Sequence, residues 1–123
     1  MRTPIHDDQA PRPKGPYSQA IVAAGPMVFI SGQLPAHGGD FRDQATQVFS
    51  QLTRLLAAAG SGWPHVVKLT VILADLADFT ALGDVSRDFL VEPYPARTTL
   101  QATLPPGVAL EVDCTALVPE RLA

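Results

Sequence analysis

Arg97 and Glu111 are the residues whose types and neighbours best suit small-molecule chemistry in this chain. A guanidinium stays charged at any working pH, and its rigid fork matches a carboxylate through two parallel hydrogen bonds. A carboxylate set between Leu110 and Val112 loses hydration and becomes a candidate general base. Each also has a plainer reading, as a solvated charge on the polar face of a strand. Tyr17, which follows Gly15-Pro16, offers either a phenol donor or a ring that fills a gap. Taken alone, these residues describe a possible small-anion site.

Both charges lie in the stretch Pro95 to Cys114, which alternates with a period of two. Thr98, Leu100, Ala102 and Leu104 share one face of its first run, and Arg97, Thr99, Gln101 and Thr103 share the other. In the second run Leu110, Val112, Cys114 and Ala116 oppose Glu111, Asp113 and Thr115. Pro105-Pro106-Gly107 marks a turn, since proline cannot donate to a ladder and glycine accepts positive φ. The pattern predicts a hairpin with Arg97 and Glu111 on its non-core face. Pairing Leu104 with Val108 sets Gln101 opposite Glu111, so Arg97 falls about 13 Å out of register. Each charge then needs a partner from outside the hairpin.

The elements that must carry these residues follow in order. Residues 1–14 read as an irregular arm containing Pro4, Pro11 and Pro13. Residues 17–24 and 27–34 read as two strands joined into a hairpin by Gly25-Pro26. Asp40 is placed to cap a helix whose stripe is Ala45, Val48, Phe49, Leu52, Leu55, Leu56 and Ala59, with Arg42 and Gln44 off it. Gly60 supplies its stop. Val66 to Leu73 is rich in β-branched residues and predicts a strand. A second helix is expected over 76–89, with Leu76, Phe79, Leu82, Val85 and Phe89 inward and Gly83 weakening it. The order β-β-α-β-α-β-β calls for an α+β fold, a mixed sheet with both helices on one face. The opposite face stays partly apolar, which predicts burial against further copies of the chain.

Bulk properties narrow the function classes. With 123 residues, 46% hydrophobic and 17% charged, the chain reads as one globular domain over 1–123. A net charge of −3 without a Lys/Arg cluster gives no footprint for nucleic acid. His6, His37 and His65 are not spaced as metal ligands, and no metal site is expected. The single cysteine, Cys114, alternates with core positions and reads as a small buried residue. Lys68, inside an apolar strand, reads as an edge or snorkelling lysine. No run reaches the ~18 apolar residues of a membrane span, and residues 1–13 do not read as a secretory signal. A cytoplasmic protein is expected.

Several motifs in fixed order resemble the RidA (YjgF-type) family. They are Gly15-Pro16-Tyr17-Ser18-Gln19-Ala20, Val28-Phe29-Ile30-Ser31-Gly32-Gln33-Leu34-Pro35, Ala58-Ala59-Gly60, Val66-Val67-Lys68-Leu69-Thr70-Val71, Pro95-Ala96-Arg97-Thr98, Leu104-Pro105 and Leu110-Glu111-Val112. The resemblance implies a chorismate-mutase-like fold and a homotrimer with ligand sites in clefts between subunits. It also implies hydrolysis of enamines and imines of the 2-aminoacrylate and 2-iminopropanoate type to 2-keto acids and ammonia, without a cofactor. Carried over residue by residue, Arg97 holds the substrate carboxylate and Glu111 activates water. Ser31, Gly32 and Gln33 line the cleft and Tyr17 closes it. Thr99 stands where the best-known deaminases carry cysteine, the Arg97–Glu111 interval is one residue shorter, and Gln51 and Gly83 replace frequent asparagines. The alternatives are a trimer that binds small carboxylates or keto acids without turnover, and the endoribonuclease or translation-inhibitor activity for which part of the family is labelled. The charge of the chain counts against the latter.

Overall fold

A computed structural model describes residues 1–119; the single-domain expectation runs on to residue 123, and 120–123 lie outside the described residues. The elements are β1 (Arg2–Ile5), β2 (Ala20–Ala23), β3 (Met27–Gln33), α1 (Phe41–Ala58), β4 (Val66–Leu73), α2 (Phe79–Arg87), β5 (Ala96–Gln101) and β6 (Leu110–Leu117). A four-stranded mixed sheet has the order β3-β6-β4-β5, and β1 pairs with β2 separately. Buried side chains of α1 and α2 meet Leu69, Val71, Leu73, Leu110, Val112, Cys114 and Ala116 in one core, so both helices cover the same sheet face. No helix among the described residues is long and apolar enough to cross a membrane.

The α1 boundaries follow from local chemistry. Asp40 accepts a hydrogen bond from the Asp43 amide, and Gly60, at φ +80°, lets the chain turn away after the last helical residues. Ala45, Val48, Phe49, Leu52 and Leu56 are fully buried, as the stripe predicts. Leu55 is not, because it lies at the stripe's edge and stays 39% exposed. Gln44, expected outside the core, is buried. Its amide donates to the Gly39 and Gly107 carbonyls and accepts from the Ala109 amide, which ties α1 to the loop before β6. The second helical stretch is a short 3-10 turn over Leu76–Asp78 followed by α2, and Leu76 is exposed rather than inward.

Strand pairing departs from the two expected hairpins for one reason. Inward-facing β6 residues are buried along its whole length, and a strand of that kind must be paired on both sides. β6 runs antiparallel to β3 and to β4, so neither β2 nor β5 is its neighbour. β2 pairs instead with β1, which turns the first residues of the expected irregular arm into a strand. β5 lies parallel to β4 at the sheet edge, reached through α2, and residues 102–109 form a connection rather than a tight turn. Lys68 is therefore on an interior strand, where its ammonium donates to Thr98 on the outer face.

Cys114 is buried as expected. Burial first, and the Asp113 carboxylate second, push its thiol up to about 12. An unfolded thiol titrates near about 8.5. The stabilisation from the protonated thiol is therefore complete below the unfolded value and is lost as pH rises through the folded one. The expected result is a denaturation midpoint that falls between about pH 9 and 12 more steeply in the wild type than in Cys114→Ala. Equal slopes for the two proteins would remove Cys114 from the alkaline transition.

Candidate anion site and outer-face carboxylate

The β4–β5 register sets Arg97 beside Leu69 and Thr99 beside Val71, on the helix-covered face. This reverses the expected facing of β5. Thr98 and Leu100 point outward instead, and Leu100 is 40% exposed. An edge strand with only two apolar residues in six does not fix its own facing; the cover offered by Tyr17 and α2 decides it.

That cover is specific. The Ser18 amide donates to the Pro95 carbonyl and its hydroxyl to the Tyr94 carbonyl, which lays the segment before β2 along the start of β5. The Arg97 guanidinium then sits 4.7 Å from the centre of the Tyr17 ring and 5.3 Å from that of Phe79, at the start of α2. A Cβ on Gly15 would come within 3.0 Å of Arg97 Nη2, so the glycine lets the backbone close over the guanidinium. The Tyr17 hydroxyl accepts from the Lys14 amide, which pins the ring. Burial lowers the Arg97 pKa from its ordinary value; the Tyr17 phenol acts in the opposite sense and the Arg87 cation adds to the lowering.

Among the described residues, none of the three Arg97 guanidinium nitrogens has a hydrogen-bond partner, although all three are buried. The Thr99 hydroxyl, two residues along the same face, is buried and unpartnered as well. A buried cation without a partner is costly in isolation, and its donors together with the adjacent hydroxyl make a seat for an anion.

Glu111 is elsewhere. It lies opposite Ile72 on the outer face of the sheet. The expectation that Arg97 and Glu111 share a face is therefore corrected: strand β4 and the thickness of the sheet separate them. The register of β3 shifts between Ile30 and Gln33, so Ser31 and Gly32 together oppose one residue of β6. This bulge brings Gly32 against the carboxylate: a Cβ there would overlap Glu111 Oε2 and lie 2.8 Å from its Cδ. Gln33 donates to the Ser31 carbonyl and receives a long hydrogen bond from Gln51. The candidate residues thus fall into two groups, Tyr17, Arg97 and Thr99 on one side and Ser31, Gly32 and Glu111 on the other; Gln33, expected to line the same cleft, pairs with the inward-facing Val112 and turns toward Gln51 of α1 instead. Phe79 and Gly15 belong to the first group; the helical pattern marks Phe79 only as inward-facing.

Fold and geometry define a small α+β domain with a buried, unpartnered guanidinium on its edge strand and a carboxylate on the open face of its sheet. The chain belongs to the YjgF/RidA family: the family model described as endoribonuclease L-PSP matches residues 7–118. It is 42% identical to protein DfrA of Myxococcus xanthus, over 94% of this chain and 95% of that one. It is 38% identical to the 2-iminobutanoate/2-iminopropanoate deaminase of Capra hircus, over 95% and 90% respectively. The crystal structure of RidA from a Psychrobacter species superposes with a TM-score of 0.73 at 40% identity, covering 94% of this chain and 99% of that one.

Proposed function

We propose that the protein hydrolyses reactive 2-imino acids and their enamine tautomers to 2-keto acids and ammonia. The observation that carries this reading is the buried, unpartnered Arg97 guanidinium beside the unpartnered Thr99 hydroxyl. Together they suit the carboxylate that every 2-imino acid carries. Relatives named as imine deaminases support the same reaction class.

In this mechanism Arg97 and Thr99 hold the carboxylate, and Glu111 takes a proton from a water as its oxygen bonds to the imine carbon. The proton passes to nitrogen to give the carbinolamine; Glu111 then moves its hydroxyl proton to nitrogen as the C=O bond forms and the C–N bond breaks, and ammonia leaves with the 2-keto acid. The imine carbon is already electrophilic, so positioning the water against a fixed carboxylate supplies most of what is needed. Ser31 and Gly32 wall the cleft around Glu111, while Tyr17 and Phe79 close the carboxylate end. Substrate entry requires the Gly15–Tyr17 segment or the long Arg97 side chain to shift, since the guanidinium is covered.

Arg97 and Glu111 of one chain face opposite ways, so a complete site combines them from adjacent copies. A homotrimer with sites between subunits satisfies this. Phe29, 76% exposed, and Leu100 supply apolar surface for the contact on the same outer face as Glu111. The test is ammonia release from 2-iminopropanoate generated in situ by an amino-acid oxidase, with spontaneous hydrolysis subtracted and the mass measured by light scattering. Acceleration by a trimer is expected. A folded trimer that binds keto acids and accelerates nothing is a binding protein instead.

A further inference from the structure

Beside Arg97 lies a small cavity of about 150 Å³, lined by Lys14, Gly15, Phe79, Thr80, Gly83 and Arg87. It shares two walls with the Arg97 seat, Gly15 and Phe79. Its charge is one-sided, since two cations line it and no carboxylate does. Asp84 does not neutralise the cavity. It is bound to Arg42 at 2.9 Å and reaches Arg87 only at 3.8 Å, so the three side chains together keep a positive charge. The Arg87 charge is felt at Arg97, whose pKa it helps to lower after the larger effect of burial. Gly83 keeps the space open, because a Cβ at this position would stand 3.3 Å from Arg87 Nη1 and 3.6 Å from Pro16 Cδ. The cavity also offers the Thr80 side chain as a neutral neighbour.

We propose that this cavity is a second anion subsite, which takes the side-chain carboxylate of a dicarboxylic 2-imino acid while Arg97 holds the first carboxylate. The assignment rests on the deaminase reading for its chemistry and on the Lys14–Arg87 cavity for its selectivity. The reaction balances as before: water adds its oxygen to the imine carbon, ammonia departs with the nitrogen, and the second carboxylate is unchanged. A methyl or ethyl side chain adds no counter-charge to the Lys14–Arg87 wall, whose net positive charge then persists. A side chain of one or two methylenes ending in carboxylate supplies one within a cavity of this size.

The experiment compares 2-iminosuccinate with 2-iminopropanoate as substrates, and 2-oxoglutarate with 2-oxobutanoate as stable ligands in calorimetric titrations. Wild type is set against Lys14→Gln/Arg87→Gln and against Arg87→Gln alone, since Arg87 is half-exposed and its loss leaves the core intact. The expected wild-type result is a preference of about tenfold or more for the dicarboxylate in kcat/KM and in Kd, falling close to parity in the double variant. No preference in wild type, or a preference that the double variant keeps, overturns the assignment. Should neither imine be hydrolysed faster than in buffer, the deaminase reading falls, and the titrations still decide the subsite by the same two criteria.

Discussion

Arg97→Ala is expected to lower kcat/KM for 2-iminopropanoate by about 10²- to 10⁴-fold. Two hydrogen bonds from a cation to a carboxylate contribute roughly 1.5–3 kcal/mol each, and both disappear with the guanidinium. Arg97→Lys is expected to recover little of the loss. An ammonium cannot offer two parallel donors, and contact with the Tyr17 and Phe79 rings suits a flat guanidinium. The same residue makes a second, opposite prediction for stability. Its nitrogens are buried and unpartnered in the free protein, so Arg97→Met keeps contact with both rings while it removes an uncompensated charge. That variant is expected to melt at or above the wild-type temperature, and to lose the stabilisation that a keto acid confers on the wild type. A variant that melts several degrees lower yet still binds pyruvate would show that Arg97 is a structural cation and that the carboxylate is held elsewhere.

The two halves of the site were unequally legible in the sequence, and the physics of strands explains why. A period of two states which residues share a face; it does not state which strand lies alongside. For β6 the buried set Leu110, Val112, Cys114 and Ala116 is wholly apolar, so its facing, and with it the outward position of Glu111, followed directly. For β5 neither alternating set is strongly apolar. Arg97 was assigned outward because charge is the usual mark of a solvated face, whereas its partners in the fold are an aromatic ring from the segment before β2 and another from α2. Those contacts join residues 17, 79 and 97, and no local pattern links them. β1 escaped notice for a related reason: Arg2-Thr3-Pro4-Ile5 has no apolar alternation and contains a proline, which an edge position tolerates. Helix α1 and strand β4, whose periods are long and regular, were placed closely by sequence, and their placement was enough to demand a mixed sheet with a shared helical layer.

The second large effect belongs to the outer face. Glu111→Gln is expected to lower kcat by about 10²- to 10⁴-fold, the range a positioned general base supplies, while keto-acid binding through Arg97 persists. Gly32→Ala tests the same assignment without touching the carboxylate's chemistry. Gly32 is not among the glycines at positive φ, so its backbone accepts alanine; what it provides is space. A methyl group there must displace the Glu111 carboxylate, and because Gly32 is exposed and the carboxylate ends a flexible side chain, the fold absorbs the change. Displacing a catalytic group by about 1 Å costs up to roughly 10²-fold in rate, so a kcat loss of about 10- to 100-fold with unchanged thermal stability is expected. The double variant decides between causes. If Gly32→Ala acts by moving Glu111, adding it to Glu111→Gln lowers kcat little further, since the group it displaces no longer serves as a base. Full additivity of the two losses would mean that the bulge at Ser31 and Gly32 touches the substrate on its own account, and full activity of both single variants would leave water activation to a residue other than Glu111.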